Sequence, residues 1–246
     1  MKILAGLALA AAAGSAQADF ESAQNSGMAF RIDAMTGAMT VDGGFGSRAT
    51  AIYSNTAGTA NFGVSSNSLG AIWGDEMTTT GTGTLDELQF GLFNSTSGGN
   101  AGLFQNATAT ISFFRAVDGS AMGSFNVNIT NAGLTAGFFT IFTVTNLSGL
   151  GINLDTTGII MTQQLSGVTG GTNRMGIVSM QPVAIGSTGT SLYVSGAANV
   201  GGGAAGFYNF GNPVLNGALA AQISIPAPSA MALLGLGGLV ATRRRR

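Results

Sequence analysis

Phe125-Asn126-Val127-Asn128-Ile129-Thr130 places an apolar side chain at every second position and a polar one between. That alternation is the signature of a strand with one face on a core and one on water. Leu88, Phe90 and Leu92 repeat the pattern, as do Ala109, Ile111 and Phe113. Phe138–Thr145 is denser, with Phe138, Phe139, Ile141, Phe142 and Val144, and predicts a central strand covered on both sides. Further strands are expected at 71–77, 159–165, 175–180, 192–195, 207–210 and 218–225. Between them stand turn signals such as Ser97-Gly98-Gly99-Asn100, Asp118-Gly119-Ser120, Gly170-Gly171, Gly201-Gly202-Gly203 and Gly211-Asn212-Pro213.

Ten or so short strands at this spacing, with no long helical stripe between residues 19 and 225, predict an all-β chain. The expected form is a single β-sandwich, jelly-roll-like or Ig-like, over residues 19–224. No repeat of stable period argues for a propeller or solenoid. Residues 19–50 are the least patterned and are expected to form an irregular strand pair.

Composition sharpens the class. Charged residues make up 8% of the 246 residues, against about 25% in an average soluble domain. Glycine contributes 40 residues, and hydrophobic residues 45%. Disorder does not fit so apolar a chain, whereas short strands joined by tight turns do. Between residues 19 and 225 four arginines (Arg31, Arg48, Arg115, Arg174) face all ten acidic residues. A net-acidic body without a basic patch excludes nucleic acid as a partner, since phosphate neutralisation needs clustered Lys and Arg.

Both ends carry different signals. Lys2, the apolar run from Ile3 to Ala13 and the small residues at Ala16 and Ala18 match a secretory signal peptide over 1–18. Cleavage before Asp19 would involve the export translocon and signal peptidase. At the other end Ile225-Pro226-Ala227-Pro228-Ser229 breaks the preceding strand, because proline lacks a donor and fixes φ. Residues 230–241 are wholly apolar or glycine, and Arg243, Arg244, Arg245 and Arg246 close the chain. The apolar run is shorter than the ~20 residues of a standard spanning helix. Arginines at its end would stay on the cytoplasmic side.

The order of these three parts over 225–246 resembles the PEP-CTERM sorting signal of Gram-negative, exopolysaccharide-producing bacteria. In that family a Pro-Glu-Pro motif precedes a short transmembrane helix and an Arg cluster. Here the motif is Pro226, Ala227, Pro228, Ser229, with Ala227 where the family carries Glu. The resemblance implies an exosortase-type processing enzyme as partner and transient residence in the inner membrane through the C-terminal helix. It then implies delivery to the cell surface or extracellular matrix.

The body offers little for catalysis. Histidine and cysteine are absent, which removes the common triads and thiol nucleophiles. Zinc would need an all-carboxylate site. Two acidic pairs remain, Asp75-Glu76 and Asp86-Glu87, eleven residues apart on strands expected to be neighbours. Brought together, they would suit a two-carboxylate glycosidase or supply hard oxygen ligands for calcium. Otherwise they are solvated strand edges, and no cofactor is required. Trp73, Tyr53, Tyr193 and Tyr208 have rings able to stack on a sugar face, although packing in the core or at its rim is the leading expectation for them. The leading expectation is a non-enzymatic, exported protein with a structural or adhesive role that touches extracellular polysaccharide. The alternatives are a carboxylate-dependent glycan-active enzyme and a carbohydrate-binding module.

Overall fold

A computed structural model describes residues 19–42, 49–58, 60–65, 69–170, 174–197, 200–209 and 218–227. The expected signal helix and the expected tail helix lie outside the described residues. So do Ala16, Ala18, Pro228, Ser229 and Arg243 to Arg246.

The chain begins with β1 (Asp19–Ser22), β2 (Gln24–Asp33), β3 (Met39–Val41), β4 (Ala49–Ser54), β5 (Ala60–Ser65) and β6 (Ile72–Thr78). It continues through β7 (Gly83–Thr84), β8 (Glu87–Asn94), β9 (Asn106–Arg115), β10 (Ala121–Ile129), β11 (Phe138–Thr145) and β12 (Asn153–Leu154). The last are β13 (Gly158–Thr169), β14 (Met175–Gln181), β15 (Ser187–Ser195), β16 (Gly206–Tyr208) and β17 (Ala221–Pro226). Only three short 3-10 turns interrupt the strands among the described residues. None of the helices there is long and apolar enough to cross a membrane.

The all-β expectation holds, and the strands form two large sheets. The smaller is antiparallel, in the order β10-β9-β13-β6-β15-β16. Alternation explains it directly. In β10, Phe125, Val127 and Ile129 are buried while Asn126 and Asn128 are exposed. The Asp118-Gly119-Ser120 turn joins β9 to β10 with Gly119 at φ 68°, a left-handed conformation that glycine adopts without steric cost.

The larger sheet runs β1-β5-β14-β8-β11-β2-β3, with β17 attached to β8 and β4 to β17. Its one parallel pair is β11 with β2. A single core cluster draws Trp73, Met77, Phe113 and Met161 from the smaller sheet and Leu88, Phe90, Leu92 and Phe142 from the larger. At its centre the rings of Phe30, Phe142 and Phe90 stack across β2, β11 and β8, each neighbour 5.5 Å away. Such directly opposed pairs hold a sheet in register as well as burying area.

The path of the larger sheet returns on itself. β1 lies at one end of the order and β2 near the other, yet only Ala23 separates them in the chain. One run of residues, 19–33, therefore pairs with β5 through its first part and with β11 through its second. The sheet curls until β1, β5, β14, β8, β11 and β2 close a ring. A second apolar cluster of Ala23, Phe93, Phe139, Val178, Met180 and Ala220 fills the face turned away from the main core. β11 is thus covered on both sides, as its dense apolar run predicts.

Two boundaries shift from the sequence reading. Residues 19–42 are more regular than the expected irregular pair, since β2 alone spans ten residues. The strand before the tail extends through Pro226, which pairs with Ala49. Ile225 and Pro226 belong to the sheet, so the 224/225 division falls inside β17. A proline is tolerated as the final residue of a strand, where its missing donor breaks no further rung.

Gly63 on β5 makes the second cluster possible. A Cβ there would sit inside the Phe93 ring. We expect Gly63→Ala to destabilise the protein by about 1–3 kcal/mol through overpacking. In urea unfolding, adding Phe93→Leu should recover part of that loss. Additive losses in the double variant would show that the two sites do not touch.

Candidate functional site

The outer face of the smaller sheet carries a groove of about 370 Å³. Its origin lies in the antiparallel register. Ser112 on β9 stands opposite Thr162 on β13, Thr162 opposite Gly74 on β6, Gly74 opposite Tyr193 on β15, and Tyr193 opposite Phe207 on β16. These residues form one row across five strands. A second row sets Phe114 beside Ile160, and a third sets Thr110, Gln164 and Ile72 in line. All of these except Gly74 line the groove, and none is charged.

The shape follows from residue size. Gly74 has no side chain at the centre of the row, and a Cβ there would meet Thr162 Cγ2 at 2.8 Å and the Met161 carbonyl at 2.8 Å. Tyr193 and Phe207 rise on one side as an edge-to-face pair, 5.5 Å between centroids and 66° between planes. Phe114 stands on the other side. Ile160 is 7% exposed yet belongs to neither apolar core cluster. It is instead a groove wall.

Hydrogen bonding separates two kinds of polar group here. Thr110 Oγ1 donates to Asn126 Oδ1 (2.9 Å), and Gln164 Nε2 donates to the Gly70 carbonyl (2.9 Å). Ser112 and Thr162 have side-chain hydroxyls with no protein partner. Thr162 is nevertheless only 8% exposed.

The four aromatic residues with rings able to stack on sugar divide by parity. Tyr193 faces the groove. Trp73 sits one position along β6 from Ile72 and Gly74, so it points inward and is 3% exposed in the core. Tyr208 pairs with Leu192 rather than Tyr193, packs against the core, and donates its hydroxyl to the Ala204 carbonyl (2.9 Å). Tyr53 is fully buried. Phe207, Phe114 and Ile160 were not anticipated. Their alternation was visible, but their placement in one row needs the pairing partners.

The acidic pairs do not converge, which corrects the expectation of neighbouring strands. Asp75 and Glu76 lie on β6 of the smaller sheet, whereas Glu87 opens β8 in the larger and Asp86 immediately precedes it. Leu88, Phe90 and Leu92 turn toward the core, so Glu87 is on the opposite face, where Arg31 meets it at 3.7 Å. Asp75 points into the interior and Glu76 out to solvent. Among the described residues no group of three acidic side chains gathers as a metal would require. The four carboxylates therefore do not converge on one shared site, as a calcium cage or a two-carboxylate glycosidase would need.

Asp75 has a different role. Its carboxylate accepts from Thr188 Oγ1 (2.7 Å to each oxygen) and from the Leu219 N–H (3.0 Å). Beside it Asn55 donates to the Met180 and Leu219 carbonyls and accepts from the Ala221 N–H (2.8 Å). The two side chains pin residues 219–221, which lead into β17, against both sheets. Burial pushes the Asp75 carboxyl well above the usual carboxylate range, its hydrogen bonds oppose this, and the Glu76 charge adds to it. The nearby Tyr53 phenol is likewise pushed up by burial and by Asp75.

No protein-family model and no curated protein sequence matches the chain. Among solved structures, one of infectious bursal disease virus Gt strain is similar at 15% identity and a TM-score of 0.20. The match covers 94% of this chain and 51% of the viral one, so the chain spans about half the length of that neighbour. A likeness of this size carries no argument about fold or function.

The sign of the Asp75 linkage follows from its raised folded pKa. The folded state holds the proton more tightly than the unfolded chain, whose aspartate titrates near ~3.9. Asp75 thus contributes stability below that value and loses it as pH rises through the raised one. We expect the difference in Tm between wild type and Asp75→Asn to move against wild type from pH 4 to 8. A pH-independent difference would show an Asp75 that titrates normally.

Proposed function

We propose that this chain is an exported, non-enzymatic β-sandwich protein, displayed at the cell surface or in the extracellular matrix. There it acts as a structural or adhesive element that touches polysaccharide through the groove of its smaller sheet. The observation that carries this reading is the row from Ser112 to Phe207, in which aromatic faces and idle hydroxyls share a surface the core does not need. Two sheets around one core support the sandwich architecture, with the larger sheet rolled up at the Ala23 bend.

Export rests on the sequence at both ends. The Lys2, apolar and Ala16/Ala18 layout directs the chain to the translocon and signal peptidase. The first strand begins at Asp19, which cleavage would make the first mature residue. The Pro226-Ala227-Pro228-Ser229 motif, apolar run and arginines act as a PEP-CTERM-like address for an exosortase-type enzyme. β17 holds the chain in the sheet up to Pro226, so processing beyond Ala227 would leave every strand among the described residues in place.

Mass spectrometry of surface and membrane fractions from the native host tests the address. We expect surface protein that begins at Asp19 and lacks the arginine cluster, with full-length tail only in the membrane fraction. Deleting Arg243 to Arg246 should shift the protein toward the membrane fraction. An intact C-terminus on surface protein would overturn sorting by processing. For the adhesive role, Tyr193→Ala should release surface protein from matrix polysaccharide into the medium; unchanged retention would contradict the role given to the groove.

A further inference from the structure

The groove's chemistry identifies what class of polymer it takes, an inference that rests on the adhesive reading above. Three observations bear on it. The rings of Tyr193 and Phe207 on one wall and Phe114 on the other present apolar faces. No Lys, Arg, Asp or Glu lines the space between them. In its floor two cross-strand neighbours, Ser112 and Thr162, hold hydroxyls with no protein partner, and Thr162 is more than nine-tenths buried.

These observations argue against an aliphatic chain and against an anionic sugar polymer as occupants. An aliphatic chain would cover Ser112 and Thr162 and leave both hydroxyls dry and unpaired. Each such group costs about 1–3 kcal/mol. An anionic sugar polymer would bring its carboxylates into a space without a counter-charge. It would also approach a body whose exposed Glu76 stands on the same outward parity of β6. Desolvating a charge without a partner is more expensive still. A neutral polyhydroxylated ring meets both demands, since its apolar face stacks on an aromatic ring while its equatorial hydroxyls reach Ser112 and Thr162.

The row also gives the direction. From β9 to β16 there are four strand spacings, roughly 19 Å at the usual ~4.8 Å each. Tyr193 and Phe207 stand toward the β16 end, Phe114 and the Ser112 hydroxyl share the β9 end, and the Thr162 hydroxyl lies between them. We propose that the groove binds a neutral glycan chain laid across the strands, with rings on Tyr193/Phe207 and on Phe114, a hydrogen bond to Thr162 between them and another to Ser112 beside Phe114. Because only uncharged groups take part, binding is insensitive to salt and to calcium chelation.

The test is affinity electrophoresis and calorimetry of the mature protein against a soluble neutral glucan, a neutral mannan and a polygalacturonate. Measurements are made at low and high salt. We expect binding to a neutral polymer that survives high salt and chelator. Tyr193→Ala should weaken it ~10-fold or more, the loss of a stacked ring. Thr162→Val, which keeps the shape and removes the hydroxyl, should weaken it several-fold with an unchanged Tm. Tyr193→Phe should retain most of the affinity, which separates stacking from any hydrogen bond made by the phenol. Salt-dependent preference for polygalacturonate would overturn the neutral-glycan assignment while leaving the adhesive reading standing. Tighter binding of a hydrophobic dye by Thr162→Val, with no affinity of wild type for either neutral polymer, would show an apolar-ligand pocket and overturn it as well. Matrix retention that ignores Tyr193 would instead remove the underlying reading.

Discussion

The parity of β6 governs both faces of the smaller sheet. Because Trp73, Asp75 and Met77 point inward, Ile72, Gly74 and Glu76 must point outward, and the antiparallel register carries that choice to β13 and β15. A slip of one residue would exchange the two sets completely. Trp73 would enter the solvent, and the gap at Gly74 would lie in the core. Register is therefore fixed by burial of the largest side chain on the strand, and the groove is a consequence on the other side. Asp75 is the one costly member of the inward set. Thr188 and the Leu219 N–H offset that cost and tie β6 to the segment that feeds β17.

The larger sheet meets a different constraint. Its inner face joins the main core, but part of its outer face is also apolar and needs cover. The run through Ala23 supplies that cover by pairing with β5 and then β11, which curls the sheet over Phe93, Phe139 and Val178. The same closure limits the exposed edge along the rolled part, a hazard for any β-protein with so few charges. Gly63 and Gly91 permit the tight curvature, since Phe93 and the Ala220–Val178 pair occupy the space their side chains would need.

Strands with strong alternation or dense apolar runs were legible from sequence, and β10 and β11 lie where their patterns place them. β2 was not, because its first half is exposed and polar and is held by backbone pairing with β11. β5 was hidden by Gly63, which interrupts its apolar pattern for a packing reason that only Phe93 explains. For the site, Tyr193 could be nominated but not distinguished from Trp73 or Tyr208. That distinction depends on which parity faces the core, and hence on partners far away in sequence. The acidic pairs misled because β6 and β8 are close in the chain but belong to different sheets, an arrangement that residue spacing does not encode.

The account joins a sequence-level address at the two ends to a neutral, aromatic-walled row on the body. Its central claim is that the outward row of the smaller sheet is the contact surface. Oxidative footprinting of the protein from Asp19 onward, with and without a soluble neutral glycan, reads that surface directly. The account predicts protection of Tyr193, Phe207 and Phe114, with no change at Tyr208 or at exposed Met35 and Val117. Protection confined to Met35, Val117 or the larger sheet, with Tyr193 as reactive as before, would contradict it.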